Sequence, residues 1–210
     1  MATQTTTDML RERYERAARR YLHALPLEHF MESTPQATQR KITLESLDLV
    51  AVQRDDFHVY NELLVQYPLA GRLRPGQVVP DNMVVIYNGA LDPDGSYDVP
   101  LQPAKPFWVL EYVSKNNPRK DYVDNMRHYE EALQVPYYLL FRPDTVEMTL
   151  YRHETDHYGP SWHGTNKRLM VAEVVRLQTI RTLTSSATSK VSGVAALVAG
   201  TFWRQSASNV

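Results

Sequence analysis

An apolar segment with a single carboxylate in its middle constrains this chain more than any other feature. Phe107 to Val113 is almost continuously apolar or aromatic, and Glu111 is the only charged residue in it. Such a run is typical of a strand at the centre of a sheet, where both faces are buried. A buried acid is costly unless it is paired or bound to a cation. The segment therefore predicts a central strand and indicates a metal site beside it.

Composition sets the broad class of protein and excludes several kinds of site. The 210 residues, 43% of them hydrophobic, suffice for one domain with a sizeable core. The absence of cysteine excludes disulfides, thiolate metal sites and a cysteine nucleophile. A net charge of -1 does not by itself indicate a nucleic-acid binder. The polar N-terminus and the lack of a long apolar run predict a cytoplasmic protein with no membrane span.

Hydrophobic patterning predicts two helices at the start of the chain. From Asp8 to Leu25, apolar side chains recur at close to 3.6 residues, and Asp8 is the predicted N-cap. Several arginines share the other face of this helix, which we interpret as solvated, with a phosphate-contacting surface as the alternative. The second helix is predicted from Pro35 to Val52.

The rest of the chain is predicted to alternate strands with a third helix. Apolar, β-branched or aromatic residues predict strands at Phe57–Tyr67, Val78–Tyr87, Phe107–Val113, Val135–Arg142 and Val146–Arg152. We expect the first two to pair antiparallel and the last two to form a hairpin. A helix from about Pro118 to Leu133 would join two strands by a right-handed parallel crossover. Asn88–Pro106 and His153–Lys167 lack periodicity and are predicted as loops.

A second isolated acid, Asp81, lies within the predicted strand Val78–Tyr87. Two carboxylates brought together from adjacent strands bind a hard divalent cation such as Mg²⁺, or Mn²⁺ in its place. Such a cation polarises a phosphodiester and lowers the pKa of a bound water. A nearby lysine, Lys115 or Lys120, could orient that water or stabilise charge on the phosphate.

Each candidate residue also has a purely structural interpretation. Asp81 could be a strand-edge acid paired with an arginine, Glu111 a buried hydrogen-bond partner, and Lys115 an ordinary exposed lysine. His128 is interpreted as a residue on the surface of the third helix. Glu62 and Gln66 would share one face of the first strand and either line the cleft or face solvent.

Four pieces of sequence, read together, match a known pattern. They are Pro80-Asp81, then Glu111-Tyr112-Val113-Ser114, then a helix with Asp121 and Tyr129, then a strand opening Val135-Pro136-Tyr137-Tyr138. Over about residues 35–178 this series resembles the PD-(D/E)XK nuclease superfamily and, within it, the Uma-two family of restriction-endonuclease type. The resemblance implies an α/β (α+β) fold with a mixed central sheet flanked by helices.

The resemblance also implies a function and its residues. It implies a Mg²⁺-dependent endonuclease that acts on DNA, with Asp81 and Glu111 as metal ligands. Asp81, Glu111, Lys115 and Lys120 would be the catalytic residues. The superfamily lysine, two positions after the acid, is Val113 here, and the helical lysine of the family is Asn125. The lysine role therefore falls to Lys115 or Lys120, or is lost. A catalytically inactive module that binds nucleic acid or a protein partner is the alternative function.

We divide the chain into three regions. Residues 1–34 form the N-terminal helix and its connection, and residues 35–178 form the restriction-endonuclease-like domain. Leu169 to Leu177, at the end of that domain, is predicted as a strand or a short helix. Residues 179–210 form a tail, helical or disordered, in which Val191 to Trp203 could pack across a homodimer.

Overall fold

The computed structural model describes residues 2–26, 34–113 and 118–164. Within these residues the helices are α1 (Ala2–Ala24), α2 (Thr34–Ala51) and α3 (118–133). The strands, in chain order, are β1 (Phe57–Asn61), β2 (Leu64–Tyr67), β3 (Gly76–Val78), β4 (Asn82–Ile86), β5 (Ser96–Asp98), β6 (Pro106–Tyr112), β7 (Tyr137–Arg142), β8 (Glu147–His153) and β9 (Tyr158–Gly164). Lys115, the predicted element Leu169–Leu177 and the tail lie outside the described residues.

A six-stranded mixed sheet forms the centre of the fold, with the strand order β1-β4-β6-β7-β8-β9. β6 and β7 are parallel neighbours joined by α3, as the crossover rule predicts. β1 with β4 and β7 with β8 are antiparallel, as predicted. β6 is buried along its whole length, which confirms the central strand. The predicted α+β class and the mixed sheet flanked by helices are confirmed.

Alternation along β6 sends its side chains into two different cores. Trp108 and Leu110 pack on one face with residues of α2. Val109 packs on the other face with residues of α3, among them Tyr129. Glu111 has the same parity as Val109 and therefore faces α3. The isolated acid of the central strand thus lies beneath a helix.

The strand predicted from Phe57 to Tyr67 is in fact two strands in two different sheets. Glu62 has a φ of 48°, a left-handed conformation that interrupts an extended chain. β1 precedes it in the central sheet, and β2 follows it in a three-stranded sheet of order β3-β2-β5. The prediction of one strand was wrong because residues on both sides of Glu62 favour strands. Val78–Tyr87 is divided in the same way, into β3 and β4, and Asp81 lies in the connection just before β4.

Two segments predicted as loops contain strands. Asn88–Pro106 contains β5, which pairs parallel with β2, and a 3₁₀ turn at Val99–Leu101. The described part of His153–Lys167 contains β9, which pairs antiparallel with β8. Both predictions were wrong because glycine, proline and polar residues hide a strand whose formation depends on its neighbours.

Helix α1 begins at Ala2, earlier than predicted, so Asp8 is an interior residue and not the N-cap. Its arginine-rich face carries exposed pairs, Arg16 with Glu12 at 3.0 Å and Arg19 with Glu15 at 3.3 Å. These pairs fit the solvated-face interpretation. Among the described residues, no helix combines the length and apolar character that a bilayer span requires.

Candidate active site

Asp81 and Glu111 come together where β4 and β6 lie side by side. The backbone N–H of Tyr112 donates a hydrogen bond of 2.7 Å to Oδ2 of Asp81, which fixes this carboxylate beside β6. The carboxyl groups of Asp81 and Glu111 lie within hydrogen-bonding reach of each other. The two acids predicted from the sequence to converge therefore do so.

Glu111 is held from above by α3. Its side chain is 1% exposed, and its Oε1 accepts hydrogen bonds from Asn125 Nδ2 at 2.9 Å and from the Tyr129 hydroxyl at 2.5 Å. Asn125 Nδ2 also donates to Asp121 Oδ1 at 3.3 Å. Three residues of one helix thus set the orientation of Glu111 and its polar surroundings.

The geometry of α3 explains why these residues share a face. Over Lys120–Asn125 and His128–Leu133 the helix is wound in wide π-type turns, which bond residue i to residue i+5. In such turns, side chains four or five positions apart stay nearly in line. Asp121, Asn125 and Tyr129 therefore form one row over Glu111.

The wide turns also account for the missing lysine of the family pattern. Asn125 occupies the lysine position and contributes a neutral amide to Glu111. Lys120 lies one π-turn earlier, and its charge interacts with Glu111, Asp121 and Asp81. Of the two candidate lysines, Lys120 is thus placed with the acids. Val113, at the superfamily lysine position, is 4% exposed and packs in the core beneath α3.

The acids are poorly compensated as they stand. Burial raises the pKa of Glu111 well above its usual range, and the neighbouring Asp81 and Asp121 raise it further. Burial also raises the pKa of Asp81, although the Tyr112 N–H opposes this. Burial acts to lower the pKa of Lys120, but Glu111 and the two aspartates outweigh it and raise that pKa above its ordinary value. The two carboxyl groups therefore retain a proton to higher pH than isolated acids would.

This donor set fits Mg²⁺ or Mn²⁺. Within the described residues, no three His, Cys, Asp or Glu side chains form a ready-made cation cage, so Asp81 and Glu111 are the protein ligands available. Mg²⁺ is commonly held by one or two carboxylates, with water and phosphate oxygens as its other ligands. A divalent cation would also supply the positive charge that the buried pair needs.

Three other predicted residues have different surroundings from those expected. Glu62 forms an ion pair with Arg40 of α2, whereas Gln66 lies in the three-stranded sheet, so the two do not share a face. His128 is half-buried and hydrogen-bonded to the Tyr67 hydroxyl, and burial lowers its pKa. The surface interpretation of His128 was therefore wrong. Arg40, whose charge acts on Asp81, was not singled out by the sequence, where it is one arginine among many.

Tyr129→Phe is expected to lower the free energy of unfolding by about 1–3 kcal/mol, since a buried Glu111 oxygen loses a donor. Urea unfolding measures the change. Tyr122→Phe is the matched control, because its half-buried hydroxyl accepts a longer bond of 3.3 Å from Arg142 on the same helix's outer side. Equal losses in the two variants would contradict a special role for the Tyr129 hydroxyl.

Comparison with known proteins places the chain in a family. A crystal structure described as a "putative nuclease belonging to DUF820" from Anabaena variabilis is similar at 15% identity, covering 62% of this chain and 68% of that chain with a TM-score of 0.47. A search of curated proteins found no match. The model of the Uma2 family, described as "Putative restriction endonuclease", matches residues 29–183. That match covers most of the chain, including both acids and the helix above them, and it confirms the resemblance seen in the sequence: the chain belongs to the Uma2 family.

Proposed function

We propose that this protein is a metal-dependent endonuclease that hydrolyses phosphodiester bonds in DNA, with Mg²⁺ or Mn²⁺ held by Asp81 and Glu111. The observation that carries the proposal is the meeting of two buried carboxyl groups with the charge of Lys120 beside them. Membership of a family described as restriction endonucleases supports both the nuclease class and DNA as substrate.

The cation, when bound, would polarise the phosphodiester and lower the pKa of its water. The chain's own residues prepare the site for this. The Tyr112 N–H fixes Asp81, and Asn125 with Tyr129 fixes Glu111, so neither carboxylate has to reorganise when substrate arrives. Preorganised charge of this kind lowers the barrier because it is already aimed at the transition state.

Lys120 has a role that its ionisation defines. Because the surrounding acids raise its pKa, the ammonium group remains charged at neutral pH. A charged ammonium cannot accept a proton from water. Lys120 therefore serves as a donor that orients the attacking water and stabilises the negative charge developing on the phosphate.

Lys120→Met is expected to reduce DNA cleavage by roughly 100- to 1,000-fold, the usual effect of removing one such donor. Cation binding by Asp81 and Glu111 should persist. Plasmid cleavage in Mg²⁺ and calorimetric titration with Mn²⁺ measure the two effects. Lys41→Met is the matched control, because Lys41 is exposed and pairs only loosely with Glu45 at 3.9 Å.

Lys115→Met decides between the two lysines, and we expect it to have the smaller effect. Cleavage lost in Lys115→Met but retained in Lys120→Met would contradict the role given to Lys120.

A catalytically inactive module that keeps the fold is the second candidate. Val113 and Asn125, at the two positions where lysine is expected, favour it. Calorimetric titration of the wild-type protein separates the candidates. Absence of binding at millimolar Mg²⁺ and Mn²⁺, together with absence of cleavage, would overturn the endonuclease and leave the binding module.

A further inference from the structure

Helix α1 precedes the segment that the family model matches, which begins at residue 29. It is nevertheless docked firmly on the domain. The side-chain amide of Gln66 donates to the Tyr14 carbonyl at 3.0 Å, and that of Gln77 donates to the Ala17 carbonyl at 3.1 Å. Tyr14 is fully buried, at 0% exposure. These bonds tie α1 to the three-stranded sheet and fix the direction in which its next turns project.

Tyr21 lies two turns after Tyr14 and on the same face of α1, because positions seven apart on a helix nearly coincide in direction. Its side chain is half-buried. The phenol is close enough to both Lys120 and Glu111 for their charges to act on it. The interaction is mutual, since Tyr21 in turn acts on Lys120. The face of α1 that packs on the domain therefore ends at the acid pair.

We propose that Tyr21 is a positioning residue of the active site, acting through Lys120. The proposal rests on the function assigned above to Asp81, Glu111 and Lys120. A lysine side chain has a flexible four-carbon stem and a compact charge, so its position must be set by neighbours. The Tyr21 hydroxyl supplies such a neighbour by accepting a hydrogen bond from the ammonium group, which holds it towards Glu111.

The hydroxyl is suited to this role in its neutral form. Burial raises the pKa of Tyr21, and Lys120 and Glu111 act on it in opposite directions. The phenol therefore stays protonated at neutral pH, with lone pairs available to the ammonium group and no negative charge added to an acidic site. Helix α1 is on this view part of the catalytic unit and not an appendage to it.

A double-mutant cycle tests the proposal. Tyr21→Phe should lower kcat/KM for DNA cleavage about 10-fold in the wild-type background and have no further effect in Lys120→Met, because neighbouring residues that act as one unit are not additive. Tyr14→Phe is the matched control, since it makes the same change on the same helix face away from the acids, and it should cleave like the wild type. Circular dichroism verifies that each variant is folded.

A second readout needs neither metal nor activity. In metal-free protein labelled with ¹³C-lysine, NMR titration gives the pKa of Lys120, and Tyr21→Phe should lower it because Tyr21 acts to raise it. If the wild type does not cleave DNA, the proposed function fails while this titration still decides whether Tyr21 contacts Lys120. An unchanged titration, or a loss of cleavage that multiplies with that of Lys120→Met, would overturn the role of Tyr21.

Discussion

Glu111→Gln is expected to abolish Mg²⁺-dependent DNA cleavage while leaving the fold intact. Glutamine keeps the shape of the side chain and the oxygen that accepts from Asn125 and Tyr129. It removes the charge that a divalent cation requires. Loss of a metal ligand removes several kcal/mol of transition-state stabilisation, so we expect a decrease of at least about 1,000-fold. Asp81→Asn should behave alike, since the asparagine oxygen can still accept from the Tyr112 N–H.

Asp98→Asn is the control for the loss of a buried charge. Asp98 is 8% exposed, and burial raises its pKa as it does for the acids of the site. It lies, however, in the three-stranded sheet, where its Oδ1 accepts from Gln66 and Ser96, each at 2.8 Å. Plasmid cleavage should survive in Asp98→Asn. Cleavage at the wild-type rate in Glu111→Gln would remove Glu111 from the metal site.

The metal-free protein is expected to lose stability as the pH rises from about 5 to 8. The folded state raises the pKa of Glu111 and of Asp81 above their ordinary values, and so binds protons more tightly than the unfolded state. The free energy of unfolding therefore falls as the pH rises from those ordinary values through the raised ones. Asp56 acts in the opposite sense, because its hydrogen bond with Arg54 lowers its pKa. That contribution is lost only in more acidic solution.

Two variants of this experiment isolate the acid pair. Glu111→Gln should flatten the pH dependence and make the metal-free protein roughly 1–3 kcal/mol more stable at pH 8, since one pKa unit corresponds to about 1.4 kcal/mol. Mg²⁺ at about 100 times its Kd should stabilise the wild type by about 2.7 kcal/mol and leave Glu111→Gln unchanged. Urea unfolding at each pH, with and without EDTA, provides the values. A wild-type stability independent of pH across this window would contradict a poorly compensated pair.

The successful sequence predictions concern features that depend on local pattern. An apolar run as continuous as Phe107–Val113 has few places in a fold other than the middle of a sheet. A strand, helix and strand of the observed lengths can then be joined in essentially one way. Once β4 and β6 are neighbours, the isolated acids Asp81 and Glu111 must lie near each other, and no knowledge of the remaining side chains is needed.

The failures concern features that depend on distant contacts. The left-handed turn at Glu62, the strands β5 and β9, and the early start of α1 leave no clear local signal, because their residues also occur in loops and turns. The helical pattern of α3 was read with α-helical spacing. It therefore separated Asn125 from Tyr129, which the wide turns bring together over Glu111.

The sequence by itself determined the central strand, the parallel crossover and the pair of acids, because alternation and chain connectivity act over short distances. Only the tertiary structure decided which lysine joins the acids and which helix closes over them. Lys120 reaches the site through the wide turns of α3, and Tyr21 reaches it through the docking of α1 on Gln66 and Gln77. The physical reason is that charges and hydrogen bonds in a site depend on distances between segments far apart in the chain, which no local pattern encodes.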